Sequence, residues 1–258
     1  MSQSKLAFIV FSAVTLLATL NVAAEDAPSW SYLISTNFRS EYVDEYGIVN
    51  TIHPVVQTEI TITTPCGLYF DLWHSHNLTR PGDFNYNLGD EVDGSIGYSA
   101  SLWKEKPYSL DIDLGVTYED YVGLGSGKGD IILPYLELSH EFDLGKLTLA
   151  PYVRVEYALP ATGNSNGDLS GSFAFVGVKA DVELSSKWSF EEKLQLEADD
   201  GAFGYKPGGT LVDLTSTLTY KVDDHVSVDV EARLTRSLND SIEKSSAAIV
   251  GVGVTCSF

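Results

Sequence analysis

The sequence predicts an all-β chain, a single antiparallel up-and-down transmembrane β-barrel of about twelve strands, and three observations carry that expectation. The first is the final stretch, Ala247 to Phe258, in which Val250, Val252, Val254, Cys256 and Phe258 alternate with Ile249, Gly251, Gly253, Thr255 and Ser257. Strict alternation gives a strand one apolar face and one face of smaller, mostly polar groups. A strand that runs to an aromatic last residue suits a barrel end anchored at a membrane interface. The second is the rhythm of the connections, short and long in turn, as expected where tight turns gather at one end of a bacterial outer-membrane barrel and long loops at the other. The third is length: many alternating runs reach about 11 residues, against about 5 or 6 for an ordinary strand and about 9 to 11 for one that crosses a bilayer at a tilt.

Residues 1–24 have the pattern of an export signal. Lys5 carries their only positive charge, Leu6 to Leu20 are predominantly apolar, and Val22-Ala23-Ala24 supplies a small-residue cleavage pattern. The apolar run is short for a spanning helix, so the barrel domain, 25–258, is expected to cross the membrane through strands. The net charge of −20 makes nucleic acid and anionic lipid surfaces poor partners. Two cysteines, Cys66 and Cys256, allow a bridge in an oxidising compartment but no disulfide scaffold.

Strands are expected at 31–43, 53–63, 67–76, 91–103, 107–119, 130–142, 147–158, 170–184, 187–199, 211–222, 225–236 and 246–258. Short links stand at Thr64 to Gly67, Lys104 to Lys106, Asp143 to Lys146, Ser185-Ser186 and Asp223-Asp224; long ones stand at 44–52, 77–90, 120–129, 159–169, 200–210 and 237–245. Tyr108, Leu110, Ile112, Leu114, Val116 and Tyr118 share one face, with Ser109, Asp111, Asp113, Gly115, Thr117 and Glu119 on the other. Val226 to Leu234 alternate in the same way with Ser227, Asp229, Glu231, Arg233 and Thr235. Pro134 and Pro151 interrupt two runs, and His140 and Glu192 fall on the apolar face.

Such strands suit a soluble barrel with charges outside or a membrane barrel with charges inside. Aromatic banding favours the second. Tyr32, Trp103, Tyr108, Phe142, Trp188, Phe190, Tyr220 and Phe258 lie beside the short links, and Tyr42, Tyr118, Tyr121 and Tyr157 lie near the long ones, as two interfacial girdles require. The pore-lining acids are then Asp71, Asp93, Asp111, Asp113, Glu137, Glu156, Asp181, Glu183, Glu191, Glu197, Asp213, Asp229 and Glu231, opposed by Arg154, Lys179, Lys193, Lys221 and Arg233. Acids exceed bases, so a conducting lumen would prefer cations. Side chains paired across a barrel of intermediate width can also plug it.

Ser35-Thr36-Asn37 with Tyr42-Val43, Pro54 to Gln57, Gly67-Leu68-Tyr69 with Trp73 and Ser75, and Glu91-Val92-Asp93 leading to Gly97-Tyr98 are the pieces in which the chain resembles the TorF-type porins of Gram-negative bacteria. The resemblance covers residues 35–98 and implies an outer-membrane porin with no catalytic set. Asp44 to Gly47 replace the Arg-Gly usual in the first loop, and Thr58 and Glu59 replace the glycines that usually follow the glutamine.

Other motifs are weaker. Gly123 to Gly129 has the wrong spacing for a phosphate loop. Asn164 to Asp168 and Glu197 to Gly201 offer oxygens to calcium, but ordinary turn chemistry accounts for both. His74 and His76 share a face without a third metal ligand. A lipid hydrolase would need His140 and Ser216 together, and they lie on strands that are not neighbours. The expectation is a channel in the cell outer membrane for passive transport of small hydrophilic solutes, without enzyme activity, cofactor or metal. A barrel whose loops bind a partner is the alternative.

Overall fold

The computed structural model of the protein describes residues 30–79, 89–104, 106, 108–122, 129–161, 170–204, 207–208, 210–239 and 246–258. The expected export signal, the glycine-rich stretch 123–128 and Asn164 to Asp168 lie outside the described residues.

The described residues form fifteen strands in chain order: β1 (Ser31–Arg39), β2 (Tyr42–Val43), β3 (Val49–Thr51), β4 (Val55–Thr63), β5 (Leu68–Asn77), β6 (Glu91–Leu102), β7 (Leu110–Asp120), β8 (Ile131–Ser139), β9 (Phe142–Asp143), β10 (Leu147–Pro160), β11 (Gly171–Glu183), β12 (Trp188–Asp199), β13 (Thr210–Lys221), β14 (Val226–Ser237) and β15 (Ala247–Ser257). Apart from β2 and β3, which form a separate hairpin, and β9, which continues β8, the strands are the twelve staves of a closed antiparallel barrel. Each pairs with its sequence neighbours among the staves, and β15 returns to β1. Closure removes the open edges that would leave backbone donors unpaired in hydrocarbon. The seam runs from Leu33 opposite Ser257 to Arg39 opposite Gly251, and Phe258 exchanges backbone hydrogen bonds with Tyr32.

The barrel is inside out. Val250, Val252 and Val254 are 60, 47 and 46 % exposed, whereas Ile249 on the opposite face is 2 % exposed. Phe70, Leu72, Val153, Val155, Leu194 and Leu196 likewise point outward, while Ser75, Tyr152, Glu156, Gln195 and Glu197 are buried inside. Tyr32, Trp103, Tyr108, Phe142, Trp188 and Phe258 form an exposed girdle beside the short turns, and Tyr118 and Tyr157 belong to the other. Tyr42 and Tyr121, expected in that second girdle, turn inward instead: Tyr42 is carried in by the first long loop, and Tyr121, after β7, packs against the cluster that this loop enters. Cys66 and Cys256 are both free thiols.

Both prolines act on one interface without shifting its register. The β8 ladder with β10 pairs Ile131 and Ile132, lapses at Leu133 and Pro134, and resumes from Tyr135 to Ser139; it lapses again opposite Pro151 before Phe142 meets Leu149. A residue without an N–H interrupts a ladder in this way. Glu192, outward on β12, accepts a hydrogen bond from Ser216 Oγ at 2.8 Å on β13, so this lipid-side carboxylate has a polar neighbour.

Inward tyrosines are spaced by glycine. Tyr69, Gly97, Gly115 and Tyr135 stand in one row across β5 to β8. The rings of Tyr69 and Tyr135 reach over the glycines until their hydroxyls touch, and Tyr69 donates to Asp113 at 2.8 Å. Tyr152 likewise crosses Gly177 to donate to Gln195 at 2.6 Å. A methyl at Gly177 would lie 2.5 Å from the Tyr152 ring, while one at outward Gly94 would meet nothing. Gly177→Ala is therefore expected to destabilise the barrel by about 1–3 kcal/mol through overpacking, and Gly94→Ala to be near neutral, as measured by denaturant unfolding in detergent.

Candidate functional site: a loop folded into the lumen

The first long connection, 40–54, is no simple surface loop. Tyr42 and Val43 pair with Val49 to Thr51 as a small hairpin, and Tyr42, Val43, Asp44, Tyr46, Asn50 and Thr51 are all buried. Asp44 makes the turn: its Oδ1 accepts from the N–H of Tyr46 at 3.0 Å and of Ile48 at 2.9 Å, the side-chain-to-backbone closure that aspartate favours. Gly47, at φ 82°, supplies the left-handed residue the hairpin needs.

Three walls hold this hairpin. Tyr42 donates to Glu91 Oε2 of β6 at 2.9 Å, and Thr51 accepts from Asn77 of β5 at 3.2 Å. Tyr46 enters an aromatic socket, with its ring centroid 4.2 Å from Phe173, 6.1 Å from Phe175 and 5.3 Å from Phe203. Its hydroxyl donates to Glu156 of β10 at 2.7 Å. Burial first, and Glu156 second, raise that hydroxyl well above its ordinary range, so it remains a donor. Phe203 adopts φ 57°, an outlier for a bulky residue, and its packing on Phe173 and Tyr46 compensates for that strain.

Arg233 of β14 closes the arrangement. Its Nε donates to Asp213 at 2.6 Å, while its two terminal nitrogens donate to the carbonyls of Val43 at 2.6 Å and Asp44 at 2.9 Å. One guanidinium thus ties the hairpin backbone to the wall with the fixed fork that arginine provides. Arg154 of β10 lies 3.4 Å from Glu45, pairs with Glu156, and stacks 4.9 Å above the Tyr135 ring.

By strand register the residues that the alternation assigns to the pore share the inner face, in several groups. Asp213 and Arg233 form the latch, and Arg154 and Glu156 hold Glu45 and Tyr46. Glu231 pairs with Arg39 at 2.8 Å across Gly251, two strands away. Lys179 and Lys193 flank the Tyr152 ring at 5.3 and 5.7 Å. Asp71 accepts from Thr61 at 2.7 Å. Glu197 is buried, and Asp181, Glu183 and Lys221 are exposed beside the short turns. Asp93, Asp111, Asp113, Glu137, Glu191 and Asp229 are partly buried along the wall. The inner face from β4 to β7 bears acids and no lysine or arginine, whereas Arg154, Lys179 and Lys193 stand on β10 to β12.

Interior ionisable residues outside the expected set include Arg39, Glu59, Glu91 and Glu119, together with Tyr42, Asp44, Glu45 and Tyr46 of the hairpin. Glu91 and Glu119 keep the same two-residue phase as Asp93, Asp111 and Asp113, a signal already present in the sequence; nothing in periodicity marks a loop that folds inward. His74 and His76 stack outward at 6.2 Å, and His76 lies 3.0 Å from Asp90. Asp199 and Asp200 accept from the backbone of Gly201 and Ser172, so these carboxylates shape a turn. His140 contacts Ser109 and Ser216 bonds Glu192, so the two are not brought together.

No protein-family model and no curated protein sequence matches the chain. Solved structures similar in fold include the NanC porin, at 13 % identity and TM-score 0.56 over 87 % of this chain and 98 % of that one. The KdgM porin is similar at 14 % identity and TM-score 0.52, over 88 and 99 % of the two chains. An outer membrane channel from Pseudomonas putida F1 is similar at 12 % identity and TM-score 0.52, over 92 and 100 %. The likeness is one of fold: a porin-like barrel matched over nearly the whole length of each.

Proposed function

We propose that the protein is an outer-membrane channel for passive passage of small hydrophilic solutes, constricted by the hairpin of its first loop and preferring cations. The observation that carries this reading is a closed barrel whose outward residues are mostly apolar and whose interior is lined with ionisable side chains, one long arc of it bearing acids and no lysine or arginine. Charge on a pore wall sets ion preference, and Asp71, Asp93 and Asp113 on β5 to β7 face a lumen whose arginines and lysines stand on β1 and on β10 to β14. The porin-like fold, and the resemblance of residues 35–98 to TorF-type porins, support placement in the outer membrane.

Planar-bilayer recording tests the reading. Under a potassium chloride gradient the reversal potential is expected to have the sign of a cation-preferring pore, and Asp71→Asn with Asp113→Asn to move it towards zero. An anion-preferring potential overturns the charge assignment. A second reading, a non-conducting barrel whose loops bind a partner, is favoured by the firmly held hairpin; absence of conductance from folded protein selects it.

A further inference from the structure

Glu91 and Asp93 of β6 and Glu119 of β7 offer carboxylate oxygens that all lie within 4.8 Å of one another. Asp93 and Glu119 face each other across the ladder, and Glu91 is two residues away on the same face. Glu91 is 1 % exposed and Glu119 8 %. The hydroxyl of Tyr42 donates to Glu91 at 2.9 Å and that of Tyr121 to Glu119 at 3.2 Å. Among the described residues no lysine or arginine forms an ion pair with any of the three. Their strongest electrostatic neighbours are other acids, among them Asp44, Asp71 and Asp120.

The hairpin supplies an independent observation. Asp44 is 8 % exposed, and while its Oδ1 closes the turn, its enclosed Oδ2 has no hydrogen-bond partner. Tyr42, two residues before Asp44 in the hairpin, donates to Glu91, which sets the hairpin carboxylate beside the pocket, and its charge is felt by Glu91, Asp93 and Glu119. Asp93 Oδ1 is likewise enclosed and unpartnered. Carboxylates gathered away from water are costly; Arg233, the cation that acts on Asp44, is already engaged by Asp213 and two hairpin carbonyls, and a bound divalent ion removes the remaining cost.

We propose that Glu91, Asp93 and Glu119, closed by Asp44 of the first-loop hairpin, form a binding site for a divalent cation of the calcium type. An all-oxygen donor set selects a hard ion. Calcium holds oxygens at about 2.3–2.6 Å, so its ligands can stand about 5 Å apart across it; magnesium, at about 2.0–2.1 Å, requires the pocket to contract. The ion bridges β6 and β7 to the hairpin and stabilises its docked position by mass action. This site is independent of whether the barrel conducts.

Terbium is the probe, added to chelator-treated, folded barrel in detergent and excited through tyrosine, since Tyr42 and Tyr121 touch the ligands. The expected result is saturable terbium luminescence, displaced by calcium at lower concentration than by magnesium, with a calcium-dependent rise in unfolding temperature. Glu91→Gln and Glu119→Gln are expected to weaken calcium competition at least about tenfold, the loss of one charge-assisted ligand, and Asp224→Asn in an exposed turn to leave it unchanged. Each variant is checked for folding by its shift in gel mobility on boiling. Should both glutamine variants fail that check, the calcium-dependent unfolding temperature of the unaltered barrel decides. The proposal is overturned by absence of a calcium-displaceable signal or of that thermal shift, by equal calcium competition in folded glutamine variants, or by the same loss in Asp224→Asn.

Discussion

Replacing Arg233 by methionine is expected to release the first-loop hairpin and raise single-channel conductance severalfold. The guanidinium makes two hydrogen bonds to the hairpin backbone, at Val43 and Asp44. Bonds from a charged donor contribute about 1.5–3 kcal/mol each, so their loss shifts the ratio of docked to undocked hairpin by at least on the order of a hundredfold. The single substitution also strands Asp213, which is 4 % exposed, at a stability cost of about 3–5 kcal/mol. Arg233→Met combined with Asp213→Asn separates the effects: barrel stability returns, and the conductance increase persists. Conductance equal to that of the unaltered protein in the folded double variant would show that the hairpin does not limit the pore.

Acidification is expected to close the same constriction. Burial raises the Asp44 carboxyl from 3.8 to about 7, against the opposing pull of the Ile48 N–H, the Arg233 charge and the Tyr46 N–H. A carboxyl whose docked value is raised binds its extra proton in the docked state, so docking is favoured at low pH and weakens as pH rises from about 4 through about 7. At about 1.4 kcal/mol per unit, the full window is bounded at roughly 4 kcal/mol. In chelator-containing buffer, conductance at about pH 5 should be clearly below that at about pH 8, and Asp44→Asn, neutral throughout, should lose this dependence. An unaltered pH profile in Asp44→Asn would assign the effect to another group. Calcium, by neutralising the pocket beside Asp44, should flatten the profile of the unaltered protein.

Twelve alternating runs and the two faces of each strand are legible because a strand's two-residue period is local and a membrane barrel must keep one face apolar. The glycines of the last strand read only as small residues; the structure gives Gly251 a task, leaving room for Arg39 to reach Glu231. Nearness to long loops assigns Tyr42 and Tyr121 to a girdle. Their burial inside follows from contacts 49 residues apart, between Tyr42 and Glu91, and from the enclosed carboxylate of Glu119 beside Tyr121.

The amino-acid order by itself determined a closed barrel with oil outside and charge within, since backbone pairing in lipid admits no other strand arrangement. Only the tertiary structure decided that the first loop folds inward. The path of residues 40–54 is set by the Arg233 fork, the aromatic socket around Tyr46 and the acids behind Tyr42, which come together only when β6, β10 and β14 curve around one axis.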